Sequence, residues 1–232
     1  MADIYEAAKK FLQQHVHNQK PRRFHSCAKE LSIDNFENKI QTIDRKPKGI
    51  WYGYGSEDTW LDWCIAEQYG GIHQYIYEIV MHEDSILKIQ SIEEFEKFEN
   101  EHYATPKWQK ELNIGGLANG IFAALEIQMR NRFGSDDILA SLYPDRDQYP
   151  NQYRLHFDNM NYAKVAENYG GIEVTPYIWE KRLDSMWYYG WDCASGCVWH
   201  RDAIKEIQLF AFFDGKKNEF VKTSLQLDKT RV

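Results

Sequence analysis

Three residues far apart in this chain have types and surroundings that suit one chemistry. They are His25 in RRFHSCA, Tyr52 in GIWYGYG and Glu173 in NYGGIEVTPY. Each sits in a short strand-like stretch beside a small residue: Ser26, Gly53 and Gly171 respectively. Small neighbours let backbone come close to a ligand. A histidine, an aromatic ring and a carboxylate can together bind a ribosylated aromatic cation. The histidine hydrogen-bonds a ribose hydroxyl, the ring stacks on the base, and the carboxylate stabilises positive charge growing on the sugar carbon. The plain alternative is a core histidine, a core tyrosine and a solvent-facing glutamate.

The elements that must position these side chains follow from hydrophobic spacing and turn residues. In NYGGIEVTPY, Gly170 and Gly171 open a strand and Pro176 closes it. Neighbours on a strand alternate faces, so Glu173 points away from the face that takes Ile172 and Val174. In RRFHSCA the same alternation sets Phe24 and Ser26 on one face and His25 and Cys27 on the other. Residues 50–54 form a strand that Gly53 and Gly55 break, and Ser56 is expected to cap a helix with Glu57 and Asp58 in its first turn. That helix carries Trp60, Trp63, Cys64 and Glu67 on one side.

Elsewhere, apolar residues from Ile4 to Leu12 recur at helical spacing, which predicts an N-terminal helix over 3–17 capped by Asp3. The stretch 32–43 reads equally as helix or strand. Residues 73–81 (HQYIYEIVM) form a clear strand, and 85–90 is expected to pair with it. Ser91 starts a helix with Glu94 at the capping-box position. Residues 106–150 read as a helical insertion, 159–168 as a short helix, and 205–213 as a late core strand. The last dozen residues are polar and suit an edge strand or a tail. This order predicts one α+β domain over 1–232, built round a mixed or antiparallel sheet with short helices. Neither the dinucleotide fingerprint G-x-G-x-x-G after a strand nor a phosphate-binding P-loop is present.

A second group lies in WYYGWDCASGCVWH, from Trp187 to His200. Cys193, Cys197 and His200 fall at C-x3-C-x2-H. Zinc sites need about four ligands with tighter cysteine pairing, so no metal is expected. A cysteine nucleophile with His200 as its base is the enzymatic rival. The plainer alternative makes Cys193 and Cys197 small buried groups around a tight turn at 194–196.

Composition narrows the classes. The net charge of −7 and pI of about 5.6 provide no global field for nucleic acid or an anionic membrane. Two basic stretches, Lys20 with Arg22 and Arg23, and Arg45 with Lys46 and Lys48, read as local patches or solvated loops. Eight Trp and fifteen Tyr are enough to line a cleft for a planar ligand as well as fill a core. The polar, mixed-charge start is unlike a signal peptide and no run of about 18 apolar residues occurs, so a cytoplasmic chain with reduced cysteines is expected.

The order of FHS, then KGIWYGYG before a helix, then YGGIEV resembles the ADP-ribosyltransferase superfamily. The most similar branch is the His-Tyr-Glu one, which holds the diphtheria-toxin-like and poly-ADP-ribose polymerase-like enzymes. The resemblance covers roughly residues 22–213 in order of elements. It implies a split-sheet fold with NAD as co-substrate and no metal. It gives His25 the ribose, with the backbone of Ser26 near the nicotinamide amide. Tyr52 or Tyr54 would stack on nicotinamide, Trp60 or Trp63 would supply a second aromatic, and Glu173 would be the catalytic carboxylate. Ser26 stands where the family usually has glycine. Gly171, two residues before Glu173, is not the Gln or Glu of the Arg- or Asn-directed pattern, which leaves the acceptor open.

The activity implied is mono-ADP-ribosyl transfer from NAD to a protein or nucleic-acid acceptor with release of nicotinamide. It suits an effector or toxin delivered into a host cell, with no membrane partner. Two alternatives stand beside it. One is a catalytically inactive binding module on the same fold; the other is a hydrolase using Cys193 or Cys197 with His200.

Overall fold

The structure is a computed structural model that describes residues 4–104, 159–185 and 187–223. The expected insertion at 106–150 lies outside the described residues. Among those described, ten strands and four α-helices make a mixed α+β architecture around one large sheet. The strands are β1 (Arg22–Cys27), β2 (Ile43–Asp44), β3 (Ile50–Gly55), β4 (Tyr75–Met81), β5 (Ile86–Ile89), β6 (Met160–Asn161), β7 (Gly171–Val174), β8 (Ser195–Val198), β9 (Ile204–Asp214) and β10 (Glu219–Lys222). The helices are α1 (Ile4–His15), α2 (Trp60–Ala66), α3 (Ile92–His102) and α4 (Tyr162–Ala166).

Eight strands run in the order β10-β9-β4-β1-β3-β8-β7-β5, and β2 pairs separately with β6. Every neighbour in the large sheet is antiparallel except β5 and β7, which are parallel. The expected split is therefore not a break between sheets. Instead, β10-β9-β4 and β3-β8-β7-β5 are joined through β1 alone. Residues Arg22 to Phe24 of β1 pair with β3, and Phe24 to Cys27 pair with β4.

One sheet face carries two cores. Helices α1 and α2 cover Phe24, Ile76 and Phe210 there. Further along, α3, α4 and the aromatic segment around Trp187, Tyr188 and Trp191 cover Ile172, Val174 and Cys197. Phe95 of α3 stacks on Trp187 at 5.0 Å between centroids, an arrangement that adds to area burial. The opposite face carries Tyr52, Tyr77, Ile79 and Val198. It is the face that bears the candidate site.

Several local expectations are corrected. Residues 85–90 do not pair with β4, because both edges of β4 are already taken by β1 and β9. A 3-10 turn at Glu83–Ser85 leads the chain to β5, which runs beside β7. The stretch 32–43 forms only a 3-10 turn at Ile33–Asn35, capped by Ser32, before the short β2. The helix expected over 159–168 starts with β6 and is helical only at Tyr162–Ala166. Residues 195 and 196 are not a turn but the start of β8, paired on both sides. Ser91 does cap α3, but Glu94 takes the Gln90 N–H rather than that of Ser91.

The cap of α2 is Thr59, not Ser56. Asp58 adopts φ 53°, which extends the turn beyond Ser56. Thr59 and Asp62 then close a reciprocal capping box, and Asp62 also meets His17 at 2.8 Å, tying α2 to the end of α1. Thr59→Ala should lower stability by about 1 kcal/mol, a fall in Tm of about 2–4 °C for a chain of this size. An unchanged melting temperature by circular dichroism would show that α2 is held by packing alone.

Candidate functional site

The site begins where β1 and β3 part. Their paired register runs to Phe24 opposite Gly53. One residue on, the Trp51 carbonyl is met at 2.6 Å by Nδ1 of the His25 ring. A carbonyl can only accept, so Nδ1 carries the proton and Nε2 offers a lone pair. Burial lowers the His25 pKa, with the Trp51 bond opposing and His73 adding to the fall, which favours the neutral ring. The expected donation from His25 to a ribose hydroxyl is thereby reversed for Nε2, which accepts.

Strand alternation places the other residues. His25 is paired with Tyr77 of β4, and Arg23, two residues earlier, shares its face. Tyr52 is paired with Gly196 of β8, and Gly196 with Glu173 of β7. Antiparallel partners point to one face, so Tyr52 and Glu173 flank a position that has no side chain. The vacancy is required: a Cβ on Gly196 would stand 2.5 Å from the Tyr52 hydroxyl oxygen and 2.7 Å from the Ile172 carbonyl oxygen. The Tyr52 ring lies across β8 toward Glu173. Direct contact between Arg23 and Glu173 puts the histidine, tyrosine and glutamate on one sheet face.

Glu173 is not solvent-facing; it is 1% exposed. Arg23 Nε donates to its Oε2 at 2.6 Å and Nη2 to its Oε1 at 3.2 Å. The same guanidinium donates from Nη1 and Nη2 to Glu83 at 2.8 and 2.9 Å. Glu83, on the 3-10 turn before β5, also meets Lys88 at 2.8 Å. The guanidinium further lies 5.0 Å from the Tyr54 ring centroid and 5.9 Å from that of Tyr52. Burial works against the Arg23 charge, but the bonds to Glu83 and Glu173 outweigh it and raise its pKa.

The bond from Arg23, with help from Lys88 and against burial, lowers Glu83 from 4.5 to about 2. A carboxylate depressed in the folded state adds stability above its unfolded pKa and loses it as pH falls through the folded value. The denaturation midpoint should therefore fall between pH 4.5 and 2, and fall less in Glu83→Gln. Glu83 is half exposed, so solvent screening keeps the effect small. Equal acid sensitivity in the two proteins would contradict this assignment.

Tyr52 is 2% exposed, and the Glu173 carboxylate beside its hydroxyl is the hydrogen-bond acceptor within its reach. Burial first, then the Glu173 charge beside it, raises its pKa well above the usual value. Buried hydroxyls are normally bonded, and this one is turned toward the carboxylate. Tyr54 is half-buried, as are His25 and Ser26. The Ser26 hydroxyl accepts the His73 N–H at 2.9 Å.

Trp60 and Trp63 do not join this group. Gly53 alternates with Tyr52, and a Cβ on it would meet the Trp60 backbone nitrogen at 2.8 Å. Trp60 therefore lies on the far sheet face, stacked on Trp63 at 4.9 Å in the core under α1 and α2. Its expected stacking role is corrected on that ground.

The cysteine group has a different character. Cys193 and Cys197 are buried, and burial pushes the Cys193 thiol up to about 12 and raises Cys197 also. His200 is exposed, and its Nδ1 accepts the Asp202 N–H at 3.3 Å. Neither thiol hydrogen-bonds to it; Cys197 donates weakly to the Pro47 carbonyl. A buried thiol with a raised pKa is a packing group rather than a nucleophile. No cluster of three potential metal ligands occurs among the described residues.

Arg23, Glu83 and Lys88 are absent from the candidate residues read in the sequence, which groups Arg23 with Lys20 and Arg22 as a basic patch. The available signal was spacing, since Arg23 stands two residues before His25 on an alternating strand. Glu83 gave no such signal, because it meets Arg23 through a turn.

No family model matches the chain, and no curated protein or solved structure matches it. Among the described residues, no helix is long and apolar enough to cross a membrane.

Proposed function

We propose that the protein is an NAD-dependent mono-ADP-ribosyltransferase acting on a protein or nucleic-acid acceptor. The observation that carries this reading is that His25, Tyr52 and Glu173 lie on one sheet face, with Arg23 of the His25 strand reaching Glu173. Nε2 of His25 accepts a ribose hydroxyl, and the half-buried Tyr54 ring offers a face for nicotinamide. The Tyr52 hydroxyl, which lies beside Glu173, donates to the sugar bound there. As the C–N glycosidic bond breaks, its electron pair returns to the pyridinium nitrogen and neutral nicotinamide leaves. Glu173 stabilises the cation left on the sugar carbon. The acceptor's nucleophile then bonds to that carbon and gives up its proton. No metal takes part in this scheme.

A second reading is favoured by one specific observation. The Glu173 carboxylate is enclosed and already bonded to Arg23, as it would be in a binding module that has no catalytic use for it. Chromatographic detection of nicotinamide after incubation with NAD tests the choice. Release catalysed by the protein supports the transferase. Saturable NAD binding without release supports the binding module.

A further inference from the structure

The guanidinium of Arg23 makes four bonds to two carboxylates of unequal setting. Glu173 is sealed in the sheet and Glu83 is half in solvent. On Glu173 the grip is uneven, at 2.6 Å on Oε2 and 3.2 Å on Oε1. Both oxygens are thus held, Oε2 at the shorter range. The cation that makes burial of Glu173 tolerable also has a competing anion on its other edge. Lys88, bound to Glu83 at 2.8 Å, balances the charge at the outer edge of the group.

We infer that Arg23 is a positioning residue: its two-bond fork fixes the rotamer and plane of the Glu173 carboxylate that the proposed reaction uses, with Glu83 holding the guanidinium in place from the other side. This inference rests on the proposed transfer reaction. A fork of two N–H bonds fixes a carboxylate plane in a way that a point charge does not. The role belongs to Arg23 itself, because Lys at this position keeps the charge and loses the fork.

The test is steady-state nicotinamide release from NAD by wild type, Arg23→Lys and Glu83→Gln, each also in a Glu173→Gln background. Circular dichroism confirms that each variant is folded. Misplacing a reacting group by about 1 Å costs up to about 100-fold. Arg23→Lys should therefore lower kcat about 10- to 100-fold with KM little changed. Glu83→Gln, which opens no hole in the sheet, should lower kcat in the same direction by a smaller factor. Neither change should lower the residual rate of Glu173→Gln, because both act through that carboxylate. Equal losses in both backgrounds, or a rise in KM with kcat intact, would overturn the positioning role while the transferase reading stood. If Arg23→Lys does not fold, Glu83→Gln alone decides by the same comparison. No release by wild type would overturn the transferase reading and the positioning role with it.

Discussion

Glu173→Gln should lower the rate of nicotinamide release by about 100-fold or more. The substitution keeps the shape and removes the charge that faces the developing sugar cation. Its effect on the fold should be modest for a buried position. Gln retains one oxygen for Arg23, and Arg23 keeps both bonds to Glu83. The check is release kinetics with circular dichroism on the same sample. A folded variant with the wild-type rate would remove Glu173 from the chemistry. An unfolded variant would assign it to the sheet instead.

Arg23→Met should be the most destabilising single change at the site, by about 3–5 kcal/mol. It leaves the Glu173 carboxylate sealed between β8 and β5 with no cation, and the Tyr52 hydroxyl is too poor a substitute to carry that charge. Glu83, by contrast, turns to water and Lys88. Pairing the change with Glu173→Met should restore much of the loss, since two apolar side chains replace a buried ion pair at little cost. Urea midpoints of the two variants measure this. A single variant as stable as wild type would mean that water reaches Glu173 freely.

The site was legible in the sequence as far as strand alternation reaches. Period-two spacing sets His25 against Phe24 and Glu173 against Ile172, and both hold in the structure. Alternation cannot say which strands become neighbours. The pairing of β3 with β8 brings Gly196 under the Tyr52 ring, and nothing local in either stretch announces it. For the same reason Trp60 looked available: helical spacing puts it beside Trp63, but only the sheet decides which face that helix covers. The burial of Glu173 was missed because a lone Glu between two β-branched residues reads as an outward-facing position. Its partner lies 150 residues earlier, a distance at which spacing carries no information. Caps were read more closely than their exact residue: α2 starts at Thr59 because Asp58 bends the turn.

A crystal structure of the protein with NAD bound would test the account most directly. The account predicts the nicotinamide ribose between Glu173 and His25, with Nε2 of His25 accepting a hydroxyl and Arg23 still on Oε2 of Glu173. NAD bound elsewhere on the molecule, with Glu173 and Tyr52 closed beneath the sheet face as before, would contradict it.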